Sequence, residues 1–139
     1  MGIIWDGIGQ ALTCLKESPV HLRAVYHTVQ GFQINFRHFN NAVNNSMQFT
    51  SRGPPTVPTR QVSLNSRLNT VWGQEKIIPY DPYPFVVNTT TSVHILVTVS
   101  GFVIFIDQSF CCFFDHVLPY EKVKYLFVPG YIRIEELRV

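Results

Sequence analysis

The sequence predicts an all-β sandwich, and three observations support that fold class. Helical periodicity is almost absent from the 139 residues. Apolar and polar residues instead alternate in short runs that are rich in β-branched and aromatic side chains, which is typical of half-buried strands. Proline, glycine and asparagine separate these runs at intervals of roughly 8–12 residues, the strand spacing of sandwiches and barrels.

The first half of the chain contains four candidate strands. They are VHLRAVYHTV (Val20–Val29), GFQINF (Gly31–Phe36), SMQFTSR (Ser46–Arg52) and RQVSLNSR (Arg60–Arg67). In SMQFTSR, Met47 and Phe49 alternate with Gln48 and Thr50, so one side of the strand is apolar and the other is polar. The first twenty residues fit either a leading strand or an irregular arm.

The second half supplies further strands and a hairpin. The candidate segments are SVHILVTVSGFVIFIDQSF (Ser92–Phe110), SFCCFFDHV (Ser109–Val117) and KYLFVPGYIRIEELRV (Lys124–Val139). Ser100-Gly101 is a tight-turn signal inside the first of them, so this segment predicts two strands joined as a hairpin. Only PYEKVKY fits a short helical turn. We expect one domain over residues 1–139, since a chain of this length can bury a core without disulfides.

Composition and charge argue against several classes of function. Charged residues make up 14% of the chain and the net charge is +2, with no basic run, so nucleic-acid binding has no electrostatic basis. The apolar stretches are interrupted by polar residues before the roughly 20 residues that a spanning helix needs, which predicts no membrane insertion. The segment MGIIWDGIGQ carries an acid and no basic residue, so no secretory signal is predicted.

The three cysteines, Cys14, Cys111 and Cys112, predict reduced and buried thiols. An odd count with an adjacent pair is not a secreted disulfide framework, and no histidine lies at ligand spacing from them, so no zinc site is expected. Cys111, Cys112 and His116 offer a thiol and a base without a third orienting group. We therefore expect no catalytic residue, no metal and no cofactor.

Polar residues on two candidate strands and the turn that follows predict a solvent-facing patch. They are Gln48, Thr50, Arg52, Asn65, Trp72 and Glu75. Such a mixture suits a neutral polyol, because charged planar groups make directional hydrogen bonds to hydroxyls and an indole covers an apolar C–H face. A solvated sheet face with a half-buried tryptophan is the alternative interpretation of the same residues.

Four motifs resemble those of the galectins, over most of the chain. FQINF resembles the F-x-I-N-F/L strand of that family, and MQFTSR resembles its H-x-N-x-R strand. VSLNSRLNTVWGQE is similar to the V-x-x-N…W-G-x-E block, and FFDHVLPYEKVKYLFVPGYIRI to the closing F-x-H-R-L/I-P block. The resemblance implies a jelly-roll β-sandwich of two antiparallel sheets, with a β-galactoside site on the concave face.

The resemblance also implies a role for each matching position. Trp72 would stack on the galactose ring, and Asn65 and Glu75 would hold its 6-hydroxyl. Arg52 would reach the axial 4-hydroxyl and the ring oxygen, and it would pair with Glu75 beside the neighbouring sugar. The implied partners are β-galactoside-containing glycans or glycoproteins.

Three positions depart from the family pattern. Gln48 stands where the family has histidine, Thr50 where it has asparagine, and Ile77 where it has a second arginine. Each lost hydrogen bond to a charged group costs about 1.5–3 kcal/mol, roughly ten- to a hundredfold in affinity. Two hypotheses follow. One is a non-enzymatic lectin with altered specificity or affinity for β-galactosides, and the other is a galectin-fold protein that has lost sugar binding and acts as a protein-interaction or structural module.

Three further expectations concern a look-alike motif, assembly and location. The triplet HFN at His38–Asn40 lies too far upstream of Asn65 to be the binding strand, so we expect it in a loop. The apolar C-terminal segment GYIRIEELRV is compatible with a homodimer through terminal strands, which would supply the two sites that cross-linking needs. The resemblance implies a cytoplasmic protein, with non-classical secretion as the route to the extracellular space.

Overall fold

The described part of the chain contains thirteen strands and one turn of 3₁₀ helix. The computed structural model describes residues 3–5, 10–12, 19–27, 31–39, 42–54, 57–80 and 83–138. The strands are β1 (Ile3–Trp5), β2 (Gln10–Leu12), β3 (Pro19–Tyr26), β4 (Phe32–Arg37), β5 (Asn45–Arg52), β6 (Gln61–Leu68), β7 (Val71–Trp72), β8 (Lys76–Pro79), β9 (Thr90–Val97), β10 (Gly101–Ile106), β11 (Ser109–Asp115), β12 (Tyr125–Phe127) and β13 (Ile132–Arg138). The 3₁₀ turn, Tyr120–Lys122, falls within the segment predicted to be helical.

The strands form two antiparallel sheets. The larger sheet has the order β1-β2-β12-β4-β5-β6, and both β7 and β8 pair with the far side of β6. The smaller sheet has the order β11-β10-β9-β3-β13. The predicted β-sandwich is confirmed, and the described residues include no α-helix. No helix in that part of the chain has the length and hydrophobicity needed to cross a bilayer.

The core lies between the two sheets and is built from their inward-facing residues. Phe36 and Phe49 come from the larger sheet, and Ile95 and Phe102 come from the smaller one; all four are fully buried. Phe36 and Phe102 meet across the core, with ring centroids 5.2 Å apart. Burial of each such side chain stabilises the fold by about 1.5–3 kcal/mol, so alternation along each strand decides which face turns inward.

The predicted hairpin is present between β9 and β10. β9 ends at Val97 and β10 begins at Gly101, which places the turn at Thr98–Ser100. The Thr98 hydroxyl accepts hydrogen bonds from the backbone N–H of Ser100 at 3.2 Å and of Gly101 at 3.1 Å. A side-chain oxygen therefore satisfies the turn's own amides, as threonine does in many tight turns.

His38 plays a structural part and does not lie on the strand that carries Gln48, Thr50 and Arg52. It follows β4 in a bend, as expected for the HFN triplet, and its ring is buried. Its Nε2 lies 2.7 Å from the Ser46 hydroxyl. Burial, with a smaller contribution from the charge of Lys122, lowers the pKa of His38, which favours the neutral ring. Asn40 of the same triplet lies outside the described residues, as does Cys14.

Candidate functional site

The outer side of β5 carries three of the residues predicted for the site. Gln48, Thr50 and Arg52 point away from the core, whereas the intervening residues Phe49 and Ser51 are buried. Residues two apart in a strand share a side, and the sequence alternation was sufficient to find this face.

Strand β6 places Asn65 beside that row. Gln48 lies opposite Asn65, and Arg52 lies opposite Gln61, in the antiparallel register of β5 and β6. Opposed residues in such a pair project to the same face. The structure therefore brings together the two predicted strands as direct neighbours. The Asn65 side-chain oxygen accepts from the backbone N–H of Ser66 at 2.8 Å, and this contact fixes its orientation.

Trp72 joins the same face from the short strand β7. It lies opposite Arg67 in the register of β6 and β7, and Arg67 is two residues from Asn65. The indole is 42% exposed, and the Arg67 guanidinium carbon lies 5.2 Å from its ring centroid, a cation–π distance. The backbone N–H of Gly73 donates to the Ser66 carbonyl at 2.9 Å, which holds the turn against β6. The tryptophan is thus fixed at the surface and not packed in the core.

Glu75 completes the group through an ion pair with Arg52. The same carboxylate oxygen also accepts a hydrogen bond from the Ser63 hydroxyl. With its amide oxygen turned toward Arg52, Gln61 accepts from Nε at 2.9 Å and from Nη2 at 2.8 Å. The guanidinium and the carboxylate are therefore held in place by protein partners. Charge-assisted pairs of this kind are strong and directional.

Ile77 lies on the same face as the ion pair. It is opposite Ser63 in the register of β6 and β8, and its side chain is 49% exposed. The family pattern has a cation at this position. Here the face ends in an apolar side chain, so one hydrogen-bond donor is missing next to Glu75.

An amide network behind Gln48 was missed by the sequence interpretation. Asn35 on β4 is fully buried; its Oδ1 accepts from Gln48 Nε2 at 2.9 Å and from Asn45 Nδ2 at 2.8 Å. Its Nδ2 donates to the Phe127 carbonyl at 3.2 Å. The Thr50 hydroxyl in turn donates to Gln48 Oε1 at 3.2 Å. The alternation in FQINF placed Asn35 on the polar side of its strand, which was the available signal.

A hollow opens next to Arg52 on the side of β4. Its volume is about 370 Å³. It is lined by Gly31, Phe32, Gln33, Thr50, Ser51, Arg52, Pro129 and Gly130. The hollow therefore borders the polar face at Gln33, Thr50 and Arg52.

His116, which was considered as a base beside the two cysteines, makes its side-chain contacts elsewhere in the fold. His116 Nε2 lies 2.7 Å from the Thr98 carbonyl oxygen, and its ring packs against Phe102. It therefore engages the β9–β10 turn, whereas Cys111 and Cys112 contact each other on β11. Within the described ranges no three His, Cys, Asp or Glu side chains group as metal ligands would. The site offers hydrogen bonds, one ion pair and an aromatic surface.

The chain is similar in sequence to a lectin family and in fold to solved galectin structures. A family model described as galactoside-binding lectin matches residues 13–139. The structure of sheep galectin-11 in complex with glycerol superposes with a TM-score of 0.77 at 22% identity, covering 94% of this chain and 92% of that chain. A double variant of human galectin-16 gives a TM-score of 0.83 at 17% identity, covering 99% and 97%. No curated protein matches the chain in sequence.

Proposed function

Since this chain belongs to the galactoside-binding lectin family, the galectins, we propose that it binds β-galactoside-type glycans on the outer face of β5, β6 and β8. The observation that carries the proposal is the Arg52–Glu75 ion pair, which lies on the same face as Asn65 and the exposed Trp72. A hydroxyl both donates and accepts hydrogen bonds, so a fixed cation next to a fixed anion matches a polyol. No chemical step is part of the proposal.

The binding groups are ordered before any ligand arrives. Arg52 is held by Glu75 and Gln61, and Glu75 is also held by Ser63. Immobilising a rotamer-rich side chain on binding costs about 0.5–1.5 kcal/mol, and here much of that cost has been met by folding. Pre-organisation of this kind favours retained binding even where some family contacts are missing.

The substituted positions account for a change in preference. Gln48 already donates to Asn35, and it already accepts from Thr50. These two side chains therefore present fewer unused donors to a sugar than two separate polar residues would. We propose that recognition of galactose rests on Arg52, Asn65 and Trp72 with Glu75, while contacts to the second sugar are weaker than the family pattern provides.

One observation favours the alternative, a module that has lost sugar binding and contacts proteins. Ile77 exposes half of its apolar surface on the same face, and an apolar side chain beside a polar row is common at protein interfaces. Both functions are compatible with a cytoplasmic protein that reaches the extracellular space by non-classical secretion, and with a homodimer. Direct titration with a sugar distinguishes them.

We expect lactose to bind the 139-residue chain with millimolar or tighter affinity and Trp72→Ala to abolish that binding, because the indole would cover the C–H face of galactose. Isothermal titration calorimetry measures both. Phe110→Ala is the matched control, since it removes an exposed aromatic ring from the other sheet and should leave binding unchanged. If the folded protein binds neither lactose nor any member of a broad glycan panel, the lectin proposal is wrong and the alternative stands.

Ile77→Arg should restore contact with the second sugar. A guanidinium two residues after Glu75 can donate to hydroxyls beyond galactose, and one such bond is worth about 1.5–3 kcal/mol. The ratio of lactose affinity to galactose affinity should therefore rise roughly tenfold, as measured by titration of both sugars. Ile77→Met keeps the side chain apolar and is the control. An unchanged ratio in Ile77→Arg would show that this position does not face the second sugar.

A further inference from the structure

A bulge in β11 brings two neighbouring thiols together. Ile104 lies opposite Cys112 and Phe105 lies opposite Phe110, so Cys111 is the extra residue between them. In a regular strand adjacent side chains point to opposite faces, but a bulge re-aims one of them. Here the Sγ atoms of Cys111 and Cys112 are 3.2 Å apart.

The two thiols differ in exposure. Cys111 is half-buried and packs at the edge of the core, whereas Cys112 is buried within it. Small molecules such as a peroxide can therefore approach the first sulfur more readily than the second. The arrangement provides one half-buried cysteine whose sulfur lies against the sulfur of a buried one.

The surroundings also shift the pKa values of the two thiols in opposite directions. The hydrogen bond with Cys112 lowers the pKa of Cys111, and a hydrogen bond with Tyr80 and the charge of Lys76 act in the same direction against burial. The same sulfur–sulfur contact, together with burial, raises the pKa of Cys112. A thiolate is the reactive form of cysteine, so Cys111 has the character of the nucleophile, and Cys112 remains protonated beside it.

We propose that Cys111 and Cys112 form a peroxide-reactive dithiol that closes to a disulfide between adjacent residues. The Cys111 thiolate attacks one oxygen of hydrogen peroxide, the O–O bond breaks, and Cys111 sulfenic acid and hydroxide form. The hydroxide takes up the proton that Cys111 released on ionising, which gives one water. The Cys112 sulfur then attacks the Cys111 sulfur, the S–O bond breaks, and the departing hydroxide leaves with the Cys112 proton as a second water.

In total, two thiols and one hydrogen peroxide give one disulfide and two waters. The two sulfurs lose two electrons in total, and the peroxide gains them. Consecutive Cα atoms are about 3.8 Å apart, below the roughly 4.4–6.8 Å that unstrained disulfides span. The closed pair should therefore be opened readily by a small thiol, as strained disulfides are, which makes the modification reversible.

The test uses the full chain carrying Cys14→Ser, which leaves the adjacent pair as the only cysteines. After brief exposure to equimolar hydrogen peroxide and alkylation, intact-mass spectrometry should show a monomer lighter by two hydrogens with no alkylated cysteine. Dithiothreitol should restore two alkylatable thiols. Disulfide-linked dimers, or sulfinic acid without loss of two hydrogens, would overturn the proposal. Because neither Cys111 nor Cys112 is substituted, the result does not depend on how a variant at these positions folds.

Single variants in that background assign the two roles. Cys112→Ser, which keeps a hydroxyl beside Cys111, should stop at a Cys111 sulfenic acid that a cyclic 1,3-diketone traps. Cys111→Ser, the matched variant, should react with peroxide at least tenfold more slowly. Equal rates for the two variants, each shown to be folded by its thermal transition, would contradict the assignment of Cys111 as the attacking thiolate.

Discussion

Replacing Arg52 with alanine is expected to lower the affinity for lactose by at least about 100-fold. The guanidinium donates from a planar fork, and each hydrogen bond to it is worth about 1.5–3 kcal/mol. Its removal also leaves Glu75 with Ser63 as its remaining partner in this cluster. The proposed ligand would lose its donors while the carboxylate loses its fixed position. Titration calorimetry with lactose measures the effect.

Two further variants make the result specific to this position. Arg52→Lys keeps the charge but loses the fork, so its affinity should fall between those of the wild type and Arg52→Ala. Arg133→Ala removes an exposed cation from β13 in the other sheet and should bind lactose as the wild type does. Wild-type affinity in a folded Arg52→Ala variant would mean that sugar is bound elsewhere on the molecule.

Gly31→Ala is expected to destabilise the protein by about 3 kcal/mol or more, the largest effect on stability that we predict for a single methyl group. Gly31 has a φ of +96°, which side-chain-bearing residues rarely adopt. An added Cβ would also overlap the carbonyl group of Ser51 on β5. Strand β5 must shift or the backbone at Gly31 must change conformation. The melting temperature should fall by roughly 10 °C, as measured by differential scanning calorimetry.

Gly73→Ala provides the comparison for that experiment. Its Cβ would come no closer than 3.2 Å to another side chain or backbone atom, and the nearest, the Ser66 hydroxyl, would have to shift by only a few tenths of an ångström. We expect a change within about 1 kcal/mol, as for most surface substitutions. If Gly31→Ala changes the melting temperature as little as Gly73→Ala does, the conformation assigned to Gly31 is wrong.

Local patterns predicted most of the longer strands, but they missed β7 and β8, and Trp72 lies in a short strand where a turn was predicted. They also did not predict which strands pair. Alternation correctly assigned the faces of β5, and the Ser-Gly signal located the turn between β9 and β10. The position of β12 between β2 and β4 was not predictable in this way. Pairing between segments far apart in sequence is decided by packing against neighbours, and a three-residue strand carries little pattern of its own.

The same distinction applies to the candidate site. Spacing and resemblance identified Arg52, Asn65, Trp72 and Glu75, and the structure places all four on one face. The sugar-binding role of these residues stays a prediction. The contact between Asn35 and Gln48 depends on the register of β4 against β5, which no single strand encodes. The sequence therefore indicated which polar side chains the face contains. The strand register determined which of them already hydrogen-bond to other side chains.

The alternation of β5 has a consequence for how such a protein can diverge. Met47 and Phe49 maintain the interior, while Thr50 points outward and Gln48, also outward, reaches the interior through its hydrogen bond to the buried Asn35. Substitution at Thr50 can therefore change the exposed face without first compensating a loss of foldability. In β5, residues that hold the core therefore alternate with residues that define the exposed surface.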